Sequence, residues 1–485
     1  MNLKAISKNV GLALLVSAFF MFISVGVSVL DGRDSAFGPL LVSAIITFLV
    51  GVFPFIFVRQ NQPISLKDGF VIIVLAWLLS FVFGMLPYVM WGGEMSIMDA
   101  WFESVSGFTT TGATILNDIE VLPRSLLFWR SSTHFIGGLG VVVFLLLIVP
   151  SASPFRKRIT KIEMSSLSKE GFQLQSRKLV FVITSVYFGL FITSCLALWA
   201  CGMPFFDAIN HAFSVSATGG FSIKNASVAY YNSDLINLVM MVYMVLATMN
   251  FALLYTCFVR RSPKPMIGNP LVRFFLGSIA VMSCIVLFSL KFQHTETMTW
   301  RRAIMEALTT TVSYITTTGF SFADNKNWPF LACVVLVYAS IQCGMAGSTS
   351  SGIKVDRMLV VFRSVRRQIH EKLHPSSTFR INIGGNFIPD EDVLPIVLYI
   401  VLYFIISLLS TGVLLMSGVG GTEALSGSFA CLSNVGPGLG EISLAGNYDY
   451  VPNFAKFIYT LDMFLGRLEI YPLLIAGSLL LRKNR

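Results

Sequence analysis

Apolar residues in this chain are gathered into long blocks separated by short polar segments. The ranges 10–30, 37–58, 69–93, 179–206, 235–259, 274–290, 327–353 and 393–422 contain no Asp, Glu, Lys or Arg. The range 131–155 is interrupted only by His134, and a last block, 450–481, carries several charges. About 20 apolar residues cross the hydrocarbon core as a helix. The pattern predicts an all-α membrane protein with ten transmembrane helices. Lys4 and Lys8 precede the first block as in a signal peptide. The run is too long for an h-region, however, and no small-x-small site follows before Asp31. It is read as the first span.

A second pattern repeats between the blocks. After the third, fifth, seventh and ninth spans comes an acid followed by alanine: Asp99-Ala100, Asp207-Ala208, Glu306-Ala307 and Glu423-Ala424. Thirteen residues after each acid stands a glycine: Gly112, Gly220, Gly319 and Gly436. Two residues before each glycine stand Thr110, Thr218, Thr317 and Asn434, and six before it Ser106, Ser214, Ser313 and Ala430. Ten residues from the acid make a helix of about 15 Å, half the hydrocarbon thickness. The acid suits its N-terminus, and the C-terminal dipole end points toward the membrane middle, where a cation is stabilised. Beyond it the chain returns outward as extended backbone, tolerated at that depth only when buried in protein or lining water. Glycine permits positive φ, so carbonyls can turn toward a common axis. The expected fold is two N-terminal helices plus four M1–P-loop–M2 repeats in a pseudo-tetrameric pore. Its units are 1–68, 69–155, 156–260, 261–375 and 376–485.

Composition and charge sharpen this picture. The chain is 55% hydrophobic and 12% charged, against roughly a quarter charged in soluble proteins. Of its 35 Lys and Arg, 25 fall in 1–9, 59–69, 151–178, 259–273, 354–392 and 482–485. Ten spans put all six segments on one side, which the positive-inside rule makes cytoplasmic, with both termini. The cluster 363–367 can also touch anionic lipid or a cytosolic partner. No groove-reading motif supports nucleic-acid binding. The seven cysteines show no CxxC pairs or disulfide framework, which argues against a zinc site.

Two second helices are irregular. Span eight runs into Gly344, Met345, Ala346, Gly347, Ser348, Thr349, Ser350, Ser351 and Gly352. Glycines and hydroxyl residues are poor helix formers, so a break inside the membrane is expected below the filter. Span ten holds Lys456, Asp462, Arg467 and Glu469. Lys456 is placed near the outer interface. Arg467 is either a buried partner of Glu469 or Asp462, or faces an aqueous path.

These motifs resemble the superfamily of K⁺ transporters that includes bacterial Trk and Ktr membrane subunits and plant HKT proteins. The resemblance covers 69–485 and is nearest to TrkH-type membrane subunits, whose Trk branch carries the two extra N-terminal spans. It implies a K⁺ filter at the backbone of Thr110, Thr111, Gly112, Thr218, Gly219, Gly220, Thr317, Thr318, Gly319, Asn434, Val435 and Gly436. In that family four filter glycines go with K⁺, and a serine in the first goes with Na⁺. The fourth strand, NVGPG, departs furthest from the TVGYG of tetrameric channels, which implies looser discrimination. The resemblance further implies that 344–352 obstructs the pore and that Arg467 lines it as a barrier to cations. It implies no cofactor in this chain. It also implies a homodimer in the bacterial cytoplasmic (inner) membrane, controlled by RCK-type subunits (TrkA) that bind nucleotide. K⁺/Na⁺ or K⁺/H⁺ symport remains an alternative.

Two competing classes are weaker. A secondary transporter of another solute predicts inverted repeats, whereas these share one direction. An intramembrane metalloprotease would rest on His370-Glu371-Lys372-Leu373-His374, which matches HExxH. Pro375 follows at once inside a basic linker, so no zinc chemistry and no enzyme are expected.

Overall fold

The computed structural model describes residues 2–58, 65–93, 95–148, 176–293, 298–374, 380–383 and 386–481. The boundaries at 155/156 and 375/376, most of the basic segment 151–178, residues 59–64 and the terminal 482–485 lie outside the described residues. Two long helices come first, α1 (Leu3–Leu30) and α2 (Phe37–Phe57). They are apolar on nearly every face, as suits a helix lying between protein and lipid. The backbone N–H of Asn2 donates to Asp68 Oδ1 (2.9 Å). This puts the start of α1 beside the start of the third helix.

Four helix–short helix–helix units follow. The first is α3 (Leu66–Trp91), α4 (Ile97–Phe108) and α5 (Arg124–Ile148). The second is α6 (Ser176–Ala200), α7 (Phe205–Ser216) and the pair α8 (Asp234–Ala247) and α9 (Phe251–Val259). A short α10 (Lys264–Gly268) leads to α11 (Pro270–Gln293), α12 (Trp300–Ile315), α13 (Phe330–Ile341) and α14 (Val355–Leu373). The last comprises α15 (Asp390–Met416), α16 (Gly421–Leu432), α17 (Asn453–Arg467) and α18 (Tyr471–Leu481). Between α14 and α15 an antiparallel pair, β1 (Ile381–Ile383) and β2 (Asn386–Ile388), pairs Ile381 with Ile388. This hairpin qualifies the all-helical expectation.

Packing closes the units on themselves. The second long helix of each unit lies against the short helix of the next: α5 on α7, α8 on α12, α13 on α16. The fourth returns to the first, α17 on α4.

Among the described residues six helices (α1, α2, α3, α6, α11 and α15) are long and apolar enough to cross a membrane, and a seventh if α8 and α9 form one span. Three blocks that read as single spans are broken. The pair α8/α9 bends by 105°, α13 stops at Ile341 before the 344–352 run, and α17 stops at Arg467. Only the second and third of these involve the irregular helices expected from sequence. In the first, Asn250 accepts a hydrogen bond from Leu253 N–H (3.0 Å) and caps α9. A residue that prefers helix starts thus begins a new helix inside an apolar run.

Candidate ion-permeation site

Each short helix ends in the same unusual backbone. The residue two before each glycine is left-handed: Thr110 (φ 55°), Thr218 (56°), Thr317 (55°) and Asn434 (57°). The glycines follow with φ of 80°, 84°, 74° and 93°. Left-handed conformations are rare for β-branched residues, and strain of this kind persists where surroundings impose it. Here the restraint repeats. The N–H of Thr111, Gly219, Thr318 and Val435 donates to the carbonyl of Ser106, Ser214, Ser313 and Ala430 at 2.8–3.0 Å. The position six before each glycine is therefore the anchor of the turn. Ser106 and Ser313 also donate their hydroxyls to Ala113 O (2.6 Å) and Phe320 O (2.8 Å), just past the glycine.

The four turns meet in a ring. A Cβ on Gly112 would lie 2.0 Å from the Gly219 carbonyl oxygen, and one on Gly220 2.0 Å from that of Thr318. One on Gly319 would lie 2.2 Å from Val435 O, and one on Gly436 2.4 Å from Thr111 O. Each glycine thus abuts the carbonyl just before the glycine of the next unit, and the fourth abuts the first. Beyond the glycines lies a cavity of about 150 Å³ lined by Gly112, Gly220, Gly319, Pro437 and Tyr448 among others.

The 344–352 run sits on the other side of this ring. It is a compact loop: Cys343 N–H donates to Ile353 O and Val355 N–H to Gly344 O (both 3.0 Å). Gly347 and Gly352 take positive φ. Ser350 Oγ accepts from Thr317 Oγ1 (3.1 Å), the left-handed residue of the third turn. Thr349 donates to Ser216 O (3.3 Å) and Ala247 O (3.2 Å). The break between α8 and α9 holds the loop's far edge, with Asn250 Nδ2 donating to Ala346 O (2.8 Å) and Phe251 N–H to Gly347 O (3.0 Å).

Arg467 locks this loop to the first unit. Its Nη1 donates to Thr349 O (2.8 Å) and Ser351 Oγ (3.0 Å), and its Nη2 to Gly137 O on α5 (2.9 Å). Beside it, buried Lys354 donates to Ser350 O, and Arg357 pairs with Glu469.

The TrkH family, described as cation transport protein, matches residues 40–485. The chain belongs to the TrkH family. It is 32% identical over 480 residues to the Trk system potassium uptake protein TrkH of Vibrio parahaemolyticus, covering 98% of each chain. It is 30% identical over 481 residues to the protein of the same name from Salmonella typhimurium, again over 98% of each. The crystal structure of the potassium transporter TrkH from Vibrio parahaemolyticus superposes with a TM-score of 0.88 at 31% identity, over 98% of both chains.

In this TrkH-family chain several roles differ from those expected. Of the four acids, Asp99 caps its helix in a reciprocal box with Ser96. Asp207 and Glu423 lie in the first turn without capping side-chain bonds at the N-cap. Glu306 does not cap at all, because α12 begins a turn early at Trp300 under Thr299, and Glu306 pairs with Arg302 (2.6 Å). Arg467 bonds neither Glu469 nor Asp462: the first is held by Arg357 and the second by Ser410. Lys456, in the first turn of α17, is buried within the protein 2.7 Å from Asp99, at the start of α4. Lys354, read as part of a cytoplasmic linker, lies under the ring. Glu371, the acid of the HExxH match, is taken by Arg367 (2.6 Å).

Proposed function

We propose that this chain takes up potassium, as its relatives' names state for them, and does so through one pore built by its four repeats. The observation that carries this reading is the ring of turns in which Gly112, Gly220, Gly319 and Gly436 each abut the next unit's carbonyl. Four such backbones can replace an ion's hydration shell with carbonyl oxygens. The filter comprises 110–112, 218–220, 317–319 and 434–436. Ten spans carry it, with the broken helices α8/α9, α13/α14 and α17/α18 each counted as one, and the units divide at 68, 155, 260 and 375.

The loop 344–352 is the gate and Arg467 its latch. Supporting this are the loop's bond to Thr317 at the inner face of the filter and the Arg467 bonds that tie it to α5. Lys354, Arg357 and Arg467, against the carboxylates of Glu469 and of Asp356, which accepts from Ala346 N–H (3.3 Å), leave this level net positive, a barrier to cations while the loop is closed. Inward flow needs no hydrolysis, since the membrane potential supplies about 2.3 kcal/mol per charge per 100 mV. The chain acts as a transporter rather than an enzyme, in the cytoplasmic membrane with both termini inside. Two copies pair, and RCK-type TrkA subunits carrying nucleotide control the gate. Helix α14, which continues from the loop and exposes Phe362, Val365, Ile369 and Leu373, is the docking surface.

Uptake of ⁸⁶Rb⁺ and ²²Na⁺ into proteoliposomes tests both parts. Gly112→Ser is expected to raise Na⁺ entry relative to Rb⁺, while Arg467→Ala and deletion of 345–351 raise Rb⁺ flux. Unchanged selectivity in the first variant sinks the filter, and unchanged flux in both others sinks the gate.

A further inference from the structure

Behind the ring lies an ion pair that no element of the mechanism above uses. Glu103 on α4 and Arg130 on α5 meet at 2.5 Å with side chains 0% and 1% exposed. Burying two charges is costly unless other hydrogen bonds satisfy them. Here those bonds run to the filter strands. The Glu103 carboxylate accepts from Thr114 Oγ1 (3.1 and 3.2 Å) and from Ile115 N–H (3.3 Å), just past Gly112. Arg130 Nη1 donates to Ser222 O (2.8 Å), two residues past Gly220, and its guanidinium lies 3.4 Å from the Phe221 ring centroid. One helical turn on, His134 stacks on Phe221 at 4.1 Å and meets Ser214 Oγ at 2.9 Å.

Nine residues before the glycine stands Glu103 in the first repeat and His211 in the second, and His211 Nε2 meets Ser222 Oγ at 3.0 Å. Both positions therefore hold the residue two past the glycine. In the third and fourth repeats the same places are Thr310 and Gly427, and neutral hydroxyls serve instead. Tyr314 donates to Gly438 O (2.9 Å) and Tyr448 to Gly436 O (2.7 Å). Only the first two strands are joined through a buried pair of opposite charges among these contacts.

We infer that Glu103 and Arg130 are positioning residues for ion discrimination, clamping the first and second filter strands at a fixed separation. The inference rests on the filter reading above. A clamp of this kind acts through geometry: it holds the backbone carbonyls without touching the ion. Loosening it lets the ring contract around a smaller ion, so discrimination falls before transport does.

The test compares ⁸⁶Rb⁺ and ²²Na⁺ uptake by the full-length protein in proteoliposomes for wild type, Glu103→Gln, Thr114→Val and Gly112→Ser. Glu103→Gln keeps the shape but removes the charge that holds Arg130. Its Na⁺/Rb⁺ uptake ratio is expected to rise about tenfold, the scale set by outer-shell partners at metal sites. Thr114→Val leaves the ion pair intact, removes the hydroxyl's bonds to Glu103 and from Leu116 N–H (3.1 Å), and is expected to raise the ratio less. It also serves if Glu103→Gln does not fold. A ratio unchanged in Thr114→Val and in any folded Glu103→Gln, while Gly112→Ser shifts it, overturns the clamp and leaves the filter standing. A ratio unchanged in Gly112→Ser as well overturns the filter reading itself.

Discussion

At the residue scale the four glycines of the ring are constrained twice, by conformation and by space. Gly220 has φ of 84°, and a Cβ there would meet the Thr318 carbonyl at 2.0 Å. Backbone cannot move aside as a flexible side chain can, so the ring itself must distort. Gly220→Ala is expected to cut Rb⁺ uptake by at least roughly tenfold, since strain of 1–3 kcal/mol falls on the conducting backbone. Gly189→Ala, in α6 with nothing within 4 Å of its Cβ, is the control. It is expected to leave uptake unchanged and to stabilise the helix by about 0.5–1 kcal/mol. Equal uptake in the two variants contradicts the ring. The glycines were legible in sequence because positive φ leaves a compositional trace repeated four times. The Glu103–Arg130 and Lys456–Asp99 pairs left none. Their members are 27 and 357 residues apart, and a charge in an apolar block does not name its partner.

Among elements, the breaks in the second long helices divide into those with a strong local cause and those without. The run 344–352 breaks its helix through glycine and hydroxyl content. The break after α17 is sustained by tertiary contacts: Glu469 and Ile470 both take positive φ (54° and 64°), Ile470 is fully buried, and Arg357 fixes Glu469. A β-branched residue in that conformation has no sequence signature, which is why a single tenth span was expected. The α8/α9 break was legible only as one asparagine. Asn250 both caps α9 and holds Ala346 O, so it couples the bend to the 344–352 loop. Asn250→Leu is expected to lower thermal stability by about 1 kcal/mol and to raise Rb⁺ flux by freeing the loop's edge. Flux equal to wild type in a folded Asn250→Leu protein would show that the bend does not restrain the gate.

For the whole molecule, the decisive property is closure. Each unit packs the helix that follows its glycine turn on the next unit's short helix, and the same cyclic order recurs at the glycines. The repeat register was legible because the acid and glycine recur at fixed spacing. The closed order was not, since a linear spacing does not say which turn faces which. Nor was the division of labour, in which the first unit supplies the charged clamp, the third the loop and the fourth the arginine that crosses to the first. The central claim is that these four turns make a single ion site on their shared axis. Rb⁺ anomalous scattering from crystals of the protein tests it most directly. The account predicts a peak on that axis, ringed by the carbonyls of Thr111, Gly219, Thr318 and Val435. A peak elsewhere, such as beside Asp462, or no peak at the ring in Rb⁺-saturated crystals would contradict it.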